Sequence, residues 1–286
     1  MISLNFQIAI NKFKQLLEEA ITSGCNDGKN CGNGLKAKES LIRSSKLINL
    51  IHEAVKKDLI DNGVQLHRIF PPHNASKPEL KIAGFLKQKN QDVCVVPTTI
   101  KKQSRIIDWG PLATEGLTDH YGQAFCEASL VINVRSQVSS LAKNADTLFE
   151  RTFAEPMNLH LIYPNMVLGD VYLIPVYEYD EALMLKNKVG FKSSKTNVLK
   201  YISFFSAISN RQSADDDLHK YERCALLVVD FCRTVPKIYT TTTELIADGI
   251  IPASCSIDFE KISIDNFTQD IIQSYNNRFK KNILNI

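Results

Sequence analysis

From Leu4 to Ser23 apolar side chains recur at steps of three and four, at Phe6, Ile10, Phe13, Leu17 and Ala20. That spacing lines one face of a helix and predicts an amphipathic one. The pattern stops at Ser23, where a stretch to Gly34 mixes four glycines with Asn and Asp, the composition of a loop. This loop follows a helix instead of a strand and lacks a Gly-Lys-Ser/Thr ending, so it reads as a helix connection and not as a phosphate cradle. A second long helix is expected through Leu41, Ile42, Leu47, Ile48, Ile51, Val55, Leu59 and Ile60, closed by Asn62-Gly63.

After Pro71-Pro72 the pattern changes. A short helix is predicted from Lys77 to about Leu86, followed by the β-branched run Asp92 to Val96, too short for a helix and ended by Pro97. Further strands are expected at residues 130–134, 171–176 and 225–231, with helices at about 138–161 and 196–208 and a closing helix at 266–279. Pro156 should kink or break its helix, and Pro175 suggests an edge strand or a bulge. Strands that read as unbroken apolar runs are buried on both faces. The expected fold is therefore α/β, a central mixed sheet flanked by helices over residues 71–286, preceded by a helical N-terminal subdomain over residues 1–70.

Composition changes this picture little. The chain has 286 residues, 44% hydrophobic and 23% charged, which excludes disordered, collagenous and coiled-coil classes. No apolar run approaches the ~20 residues that cross a bilayer, and the first residues lack the order of a signal peptide. A soluble, cytoplasmic protein is the expectation. Seven irregularly spaced cysteines suit reduced thiols better than a disulfide framework. With 34 Lys+Arg against 31 Asp+Glu, net +3, a polyanionic partner would have to meet a local basic face.

Candidate chemistry concentrates between Lys77 and Glu155. Asp92 opens an apolar strand, where a carboxylate is costly to desolvate unless a cation sits beside it. In the next strand Asn133, Arg135 and Gln137 alternate onto one face at the C-terminal end, where α/β sheets commonly take ligands. The following helix carries Asp146, Glu150 and Glu155. Lys87, Lys89, Lys101, Lys102 and Arg105 flank the strand that Asp92 opens, and a second group, Lys186, Lys188, Lys192 and Lys195, precedes a later helix. No Ser-His-Asp or Cys-His order appears among the six histidines. Glu178 at a strand end, the acidic loop Asp215-Asp216-Asp217 and the single Trp109 read as surface or packing features.

The order of a Glu79-bearing helix, a strand opened by Asp92, a strand carrying Asn133-Val134-Arg135 and then a helix resembles the core of PD-(D/E)XK nucleases, in particular type II restriction endonucleases. The likeness covers about Lys77 to Phe231 and rests on order and texture. It departs from the family at Asn133 and Arg135, which stand where that family has (D/E)-x-K, and Arg is a poor proton acceptor. The resemblance implies a Mg²⁺-dependent endonuclease acting on double-stranded DNA as a homodimer. In that scheme Asp92 and Glu150 hold Mg²⁺ with Glu79 as a further carboxylate, Asn133 and Arg135 complete the catalytic set, and Arg135 grips the scissile phosphate. Lys87, Lys89, Lys101, Lys102, Arg105 and Gln137 would contact DNA. The same departure at Asn133 and Arg135 motivates the alternative of a non-catalytic DNA-binding module with a nuclease-like fold, and a small-molecule α/β enzyme is a third class.

Overall fold

The computed structural model describes residues 3–279. A six-stranded mixed sheet forms the centre, from β1 (Ile69–Phe70), β2 (Val93–Val95), β3 (Leu130–Ser136), β4 (Val167–Pro175), β5 (Arg223–Asp230) and β6 (Lys237–Tyr239). Spatial order follows chain order, β6-β5-β4-β3-β2-β1. β3, β4 and β5 run parallel, while β1, β2 and β6 join antiparallel at the two sides. Parallel neighbours need a crossover, and a helix supplies it between β3 and β4.

Helices cover both faces. On one side lie α1 (Leu4–Ser23), α2 (Gly34–Arg43), α3 (Lys46–Asp61) and the closing helix α6 (Phe267–Arg278), packed with Val93, Ile132, Val171 and Leu227 in a single apolar cluster. On the other lie α4 (Leu141–His160) and α5 (Val198–Ala207), packed with Cys94, Val131, Leu168 and Leu226. Residues alternate strictly between the two clusters along each strand, as the two-residue pleat requires. Residues 3–70 thus form one layer over the sheet and share its core, and β1 within them belongs to the sheet itself.

Several sequence expectations need correction. The second helix is two, because Ser45 at φ 62 breaks it between α2 and α3. No helix forms at residues 77–86. Leu80 and Ile82 are buried with a period of two, and Lys81–Ala83 pairs with Gln88–Asn90 as a hairpin, consistent with Pro78 and Gly84 disfavouring a helix. Pro156 does not end α4, which runs on to His160. The Thr152 carbonyl that a proline four residues on cannot bond instead accepts the Tyr221 hydroxyl at 3.1 Å. Pro175 is neither on an edge strand nor at a bulge: it ends the central strand β4, beyond the point where neighbouring β3 has stopped at Ser136, so no donor is missed there. The Gly-rich loop holds a small hairpin, Cys25–Asn26 against Lys29–Asn30. Among the described residues no helix is long and apolar enough to cross a membrane.

Candidate functional site

A cleft of about 850 Å³ opens at the C-terminal ends of β3 and β4 on the α4 side. Its floor is Arg135, Ser136, Gln137 and Tyr172, one wall is α4, and the other is the turn and second strand of the 81–90 hairpin. Helix spacing makes the α4 wall: Asn144, Leu148, Arg151, Glu155 and Asn158 follow steps of four and three and fall on one face. The helix has no cap of its own, since Ser140 makes no side-chain cap bond. The carboxylate of Glu178, in the short strand Tyr177–Tyr179 that follows β4, accepts the backbone N–H groups of Ser140 and Leu141 and the ammonium of Lys192. Burial raises the Glu178 carboxyl, but these donors outweigh it and hold the group below the usual glutamate range.

The hairpin wall is locked in place by Asn158. Its Oδ1 accepts the N–H groups of Leu86 and Lys87, its Nδ2 donates to the Lys87 carbonyl, and its own carbonyl accepts Phe85 N–H. The approach is so close that a Cβ on Gly84 would lie 2.4 Å from the Asn158 carbonyl oxygen. Trp109 donates its indole N–H to the Gly84 carbonyl from the outer side, fastening its own loop. This clamp sends Lys89 across the cleft, where its Nζ lies 2.8 Å from Glu155 Oε1 and 3.1 Å from Asn133 Oδ1. Burial pushes Glu155 up, and Lys89 more than reverses it, so that Glu155 titrates below an ordinary glutamate.

Beneath these residues sits Asp170, fully buried in the middle of β4 and beside Asn133 in the ladder. Arg135 Nη2 approaches its carboxylate at 3.6 Å, while Arg135 Nη1 donates to Thr152 Oγ1 at 2.8 Å. Burial raises the Asp170 carboxyl, Arg135 and then Lys89 pull it down, and the balance leaves it pushed up to about 6. For Arg135 burial is the largest single effect and lowers its proton affinity, but Asp170 together with Tyr221, Glu155 and Asp92 outweighs it, so its charge is held firmly. Tyr172 donates to Gln137 Oε1 at 2.9 Å, and Gln137 Nε2 donates to the Ser140 carbonyl, which fixes that amide within the floor.

The sequence candidates divide accordingly. Asn133, Arg135, Lys87, Lys89 and Gln137 come together here. Glu150 does not: it is exposed on α4, about 140° around the helix from Glu155, and lines no part of the cleft. Asp92 and Glu79 share a second cleft of about 680 Å³ with His52, Glu53 and Lys56 of α3. There Asp92 Oδ2 accepts Val134 N–H at 2.9 Å, Glu79 accepts from Asn90, and burial lowers the affinity of His52 for a proton. The structure thus does not bring Asp92 and Glu150 together: Asp92 lines this second cleft, within electrostatic reach of Arg135 and Asp170, and Glu150 stands on the exposed face of α4. Lys101, Lys102 and Arg105 stand on the segment between β2 and β3, away from the main cleft; Lys102 lies over the rings of Tyr121 and Phe125, and Arg105 stacks on Trp109 at 4.4 Å and pairs with Asp119.

The chain matches no protein-family model, no curated protein and no solved structure. Function has to be argued from the cleft alone. Four cations, Lys87, Lys89, Arg135 and Arg151, line it against one acid, Glu155. Sequence reasoning passed over Glu155, named on the helix but set aside for Glu150, and missed Arg151 and Asp170. The first two carried a signal in their helical phase with Asn144 and Leu148. Asp170 carried one as the lone charge in the run Val167 to Pro175.

Proposed function

We propose that this cleft binds the phosphate backbone of double-stranded DNA and that the protein hydrolyses phosphodiester bonds there with Mg²⁺, acting as a homodimer in the manner of a type II restriction endonuclease. The observation that carries the reading is Arg135. Its guanidinium is braced by Asp170 and Thr152, faces the cleft, and is flanked by three further cations, an arrangement suited to a phosphodiester anion. The order of strand opened by Asp92, strand bearing Asn133 and Arg135, and helix supports this reading, with Glu79 on a loop and not on the helix the resemblance implied, and with Glu155 in place of Glu150 as the helix-borne acid.

Among the described residues no three His, Cys, Asp or Glu side chains are grouped as a metal cage. Mg²⁺ needs no such cage, because it keeps most of its waters and takes one or two carboxylates. The donors present fit that habit, for Asn133 Oδ1 and Glu155 Oε1 already share a cation, the ammonium of Lys89. Asn133 and Glu155 are the residues that would hold the ion, which when bound supplies an acidified water and charge for the phosphoryl group. Arg135 binds a non-bridging phosphate oxygen and stabilises the charge that builds there. Glu155, ionised at neutral pH, accepts a hydrogen bond from the attacking water and orients it. Lys87 and Arg151 hold the flanking backbone.

Incubation of the protein with phage DNA and Mg²⁺ tests this, with discrete fragments expected from wild type and none from Glu155→Gln. The excess of lining cations and the use of Asp92 on a backbone N–H favour a second reading, a duplex-binding module that does not cut. Salt-sensitive binding without Mg²⁺-dependent cleavage would select it.

A further inference from the structure

Asp170 is the least satisfied polar group near the cleft. It is 0% exposed and sits in mid-strand between Asn133 on β3 and Cys224 on β5. Neither carboxylate oxygen has a hydrogen-bond partner, and the Nδ2 of Asn133 beside it has none either. Arg135 at 3.6 Å is an ionic neighbour and too distant to be a donor. A buried carboxylate that accepts no hydrogen bond is costly, and the guanidinium at 3.6 Å offsets its charge without supplying a donor. The Cys224 thiol is not that group, since burial keeps its proton on. A cation already bridges the neighbouring oxygens: Lys89, on a long side chain 25% exposed, contacts Asn133 and Glu155.

We propose that Asp170 anchors a divalent cation in a seat shared with Asn133 Oδ1 and Glu155, and that Lys89 holds this seat until the ion displaces its ammonium. The inference rests on the reading that the cleft works with Mg²⁺. The donors are hard oxygens without histidine or thiolate, which suits Mg²⁺, Mn²⁺ or a lanthanide and not Zn²⁺. Lys89 and Arg135 line the cleft and contact the two buried residues, Lys89 reaching Asn133 and Arg135 pairing with Asp170. Asp170 thereby differs from a mere counter-ion to Arg135, and Lys89 from a mere DNA contact.

Tb³⁺ added to DNA-free protein and excited through tyrosine reads the seat directly, because Tyr172 lines the cleft two residues from Asp170. Wild type is expected to give saturable emission that excess Mg²⁺ removes. Asp170→Asn should weaken binding more than about tenfold, Glu155→Gln should weaken it, and Lys89→Ala should tighten it by removing the competing ammonium. No emission from wild type, or unchanged affinity in folded Asp170→Asn, overturns the proposal. If Asp170→Asn does not fold, Lys89→Ala decides, and affinity equal to or weaker than wild type overturns it. A wild type that cuts DNA with Mg²⁺ while Asp170→Asn binds Tb³⁺ normally loses the seat and keeps the hydrolysis. A protein that binds Tb³⁺ through Asp170 but cuts no duplex does the reverse.

Discussion

Arg135 and Asp170 depend on each other. An arginine that lines a cleft keeps its aim only if something behind it holds the guanidinium, and Asp170 and Thr152 do this. Removing one partner of a buried pair leaves the other charge uncompensated, at a cost of about 3–5 kcal/mol. Arg135→Ala should therefore lower unfolding stability in urea by about that amount, and adding Asp170→Asn should recover part of the loss. If the double variant is as unstable as the sum of the singles, the two residues are not coupled. At the same scale, Glu150→Gln should cut and bind DNA as wild type does, since the exposed Glu150 lines no part of the cleft, while Glu155→Gln should lose cleavage. Asn133 and Arg135 were legible in the sequence because strand alternation alone puts them on one face. Glu155 was not, because choosing among the acids of a helix needs the phase at which that helix meets the sheet, and Asp170 was hidden because its strand begins at Val167 and not at Val171.

Elements bring these residues together through contacts made between segments far apart in the chain. Glu178 caps α4 from another strand, so Glu178→Gln should destabilise the fold by about 1–3 kcal/mol at neutral pH. Its carboxyl is depressed in the folded state, so the unfolded chain binds protons first as pH falls. The advantage of wild type over Glu178→Gln should be full above the ordinary glutamate range and vanish as pH drops through the lowered value. Urea unfolding of both proteins over an acid series checks the sign, and a gap that widens in acid would refute it. Gly84→Ala drives a methyl group into the Asn158 backbone, so it should displace the hairpin, lower thermal stability and weaken cleavage by moving the cleft wall that carries Lys87; unchanged melting and activity would contradict the clamp. The periodicities of α1, α4 and α5 were readable, whereas the 81–90 hairpin was not: a four-residue alternation between Leu80 and Ala83 is too short to outweigh the charged residues around it.

For the whole molecule, the sheet divides two clefts of different character. The α4 side gathers cations at the ends of parallel strands, and the α3 side mixes Glu53, Glu79 and Asp92 with His52, Lys56 and Lys77. Net charge of +3 conceals this segregation, as local placement and not composition makes a basic cleft. The sandwich of helices about a mixed sheet followed from the unbroken apolar runs, but the sharing of one core by the N-terminal helices did not, because sequence patterning reports which face is apolar and not what it meets. The most direct measurement of the central claim is electrophoresis of phage DNA after incubation with Mg²⁺ and either wild type, Glu155→Gln or Arg135→Lys. Discrete fragments from wild type alone, with Arg135→Lys strongly impaired, are expected. Intact DNA in every lane, or equal cutting by wild type and Glu155→Gln, would contradict the account.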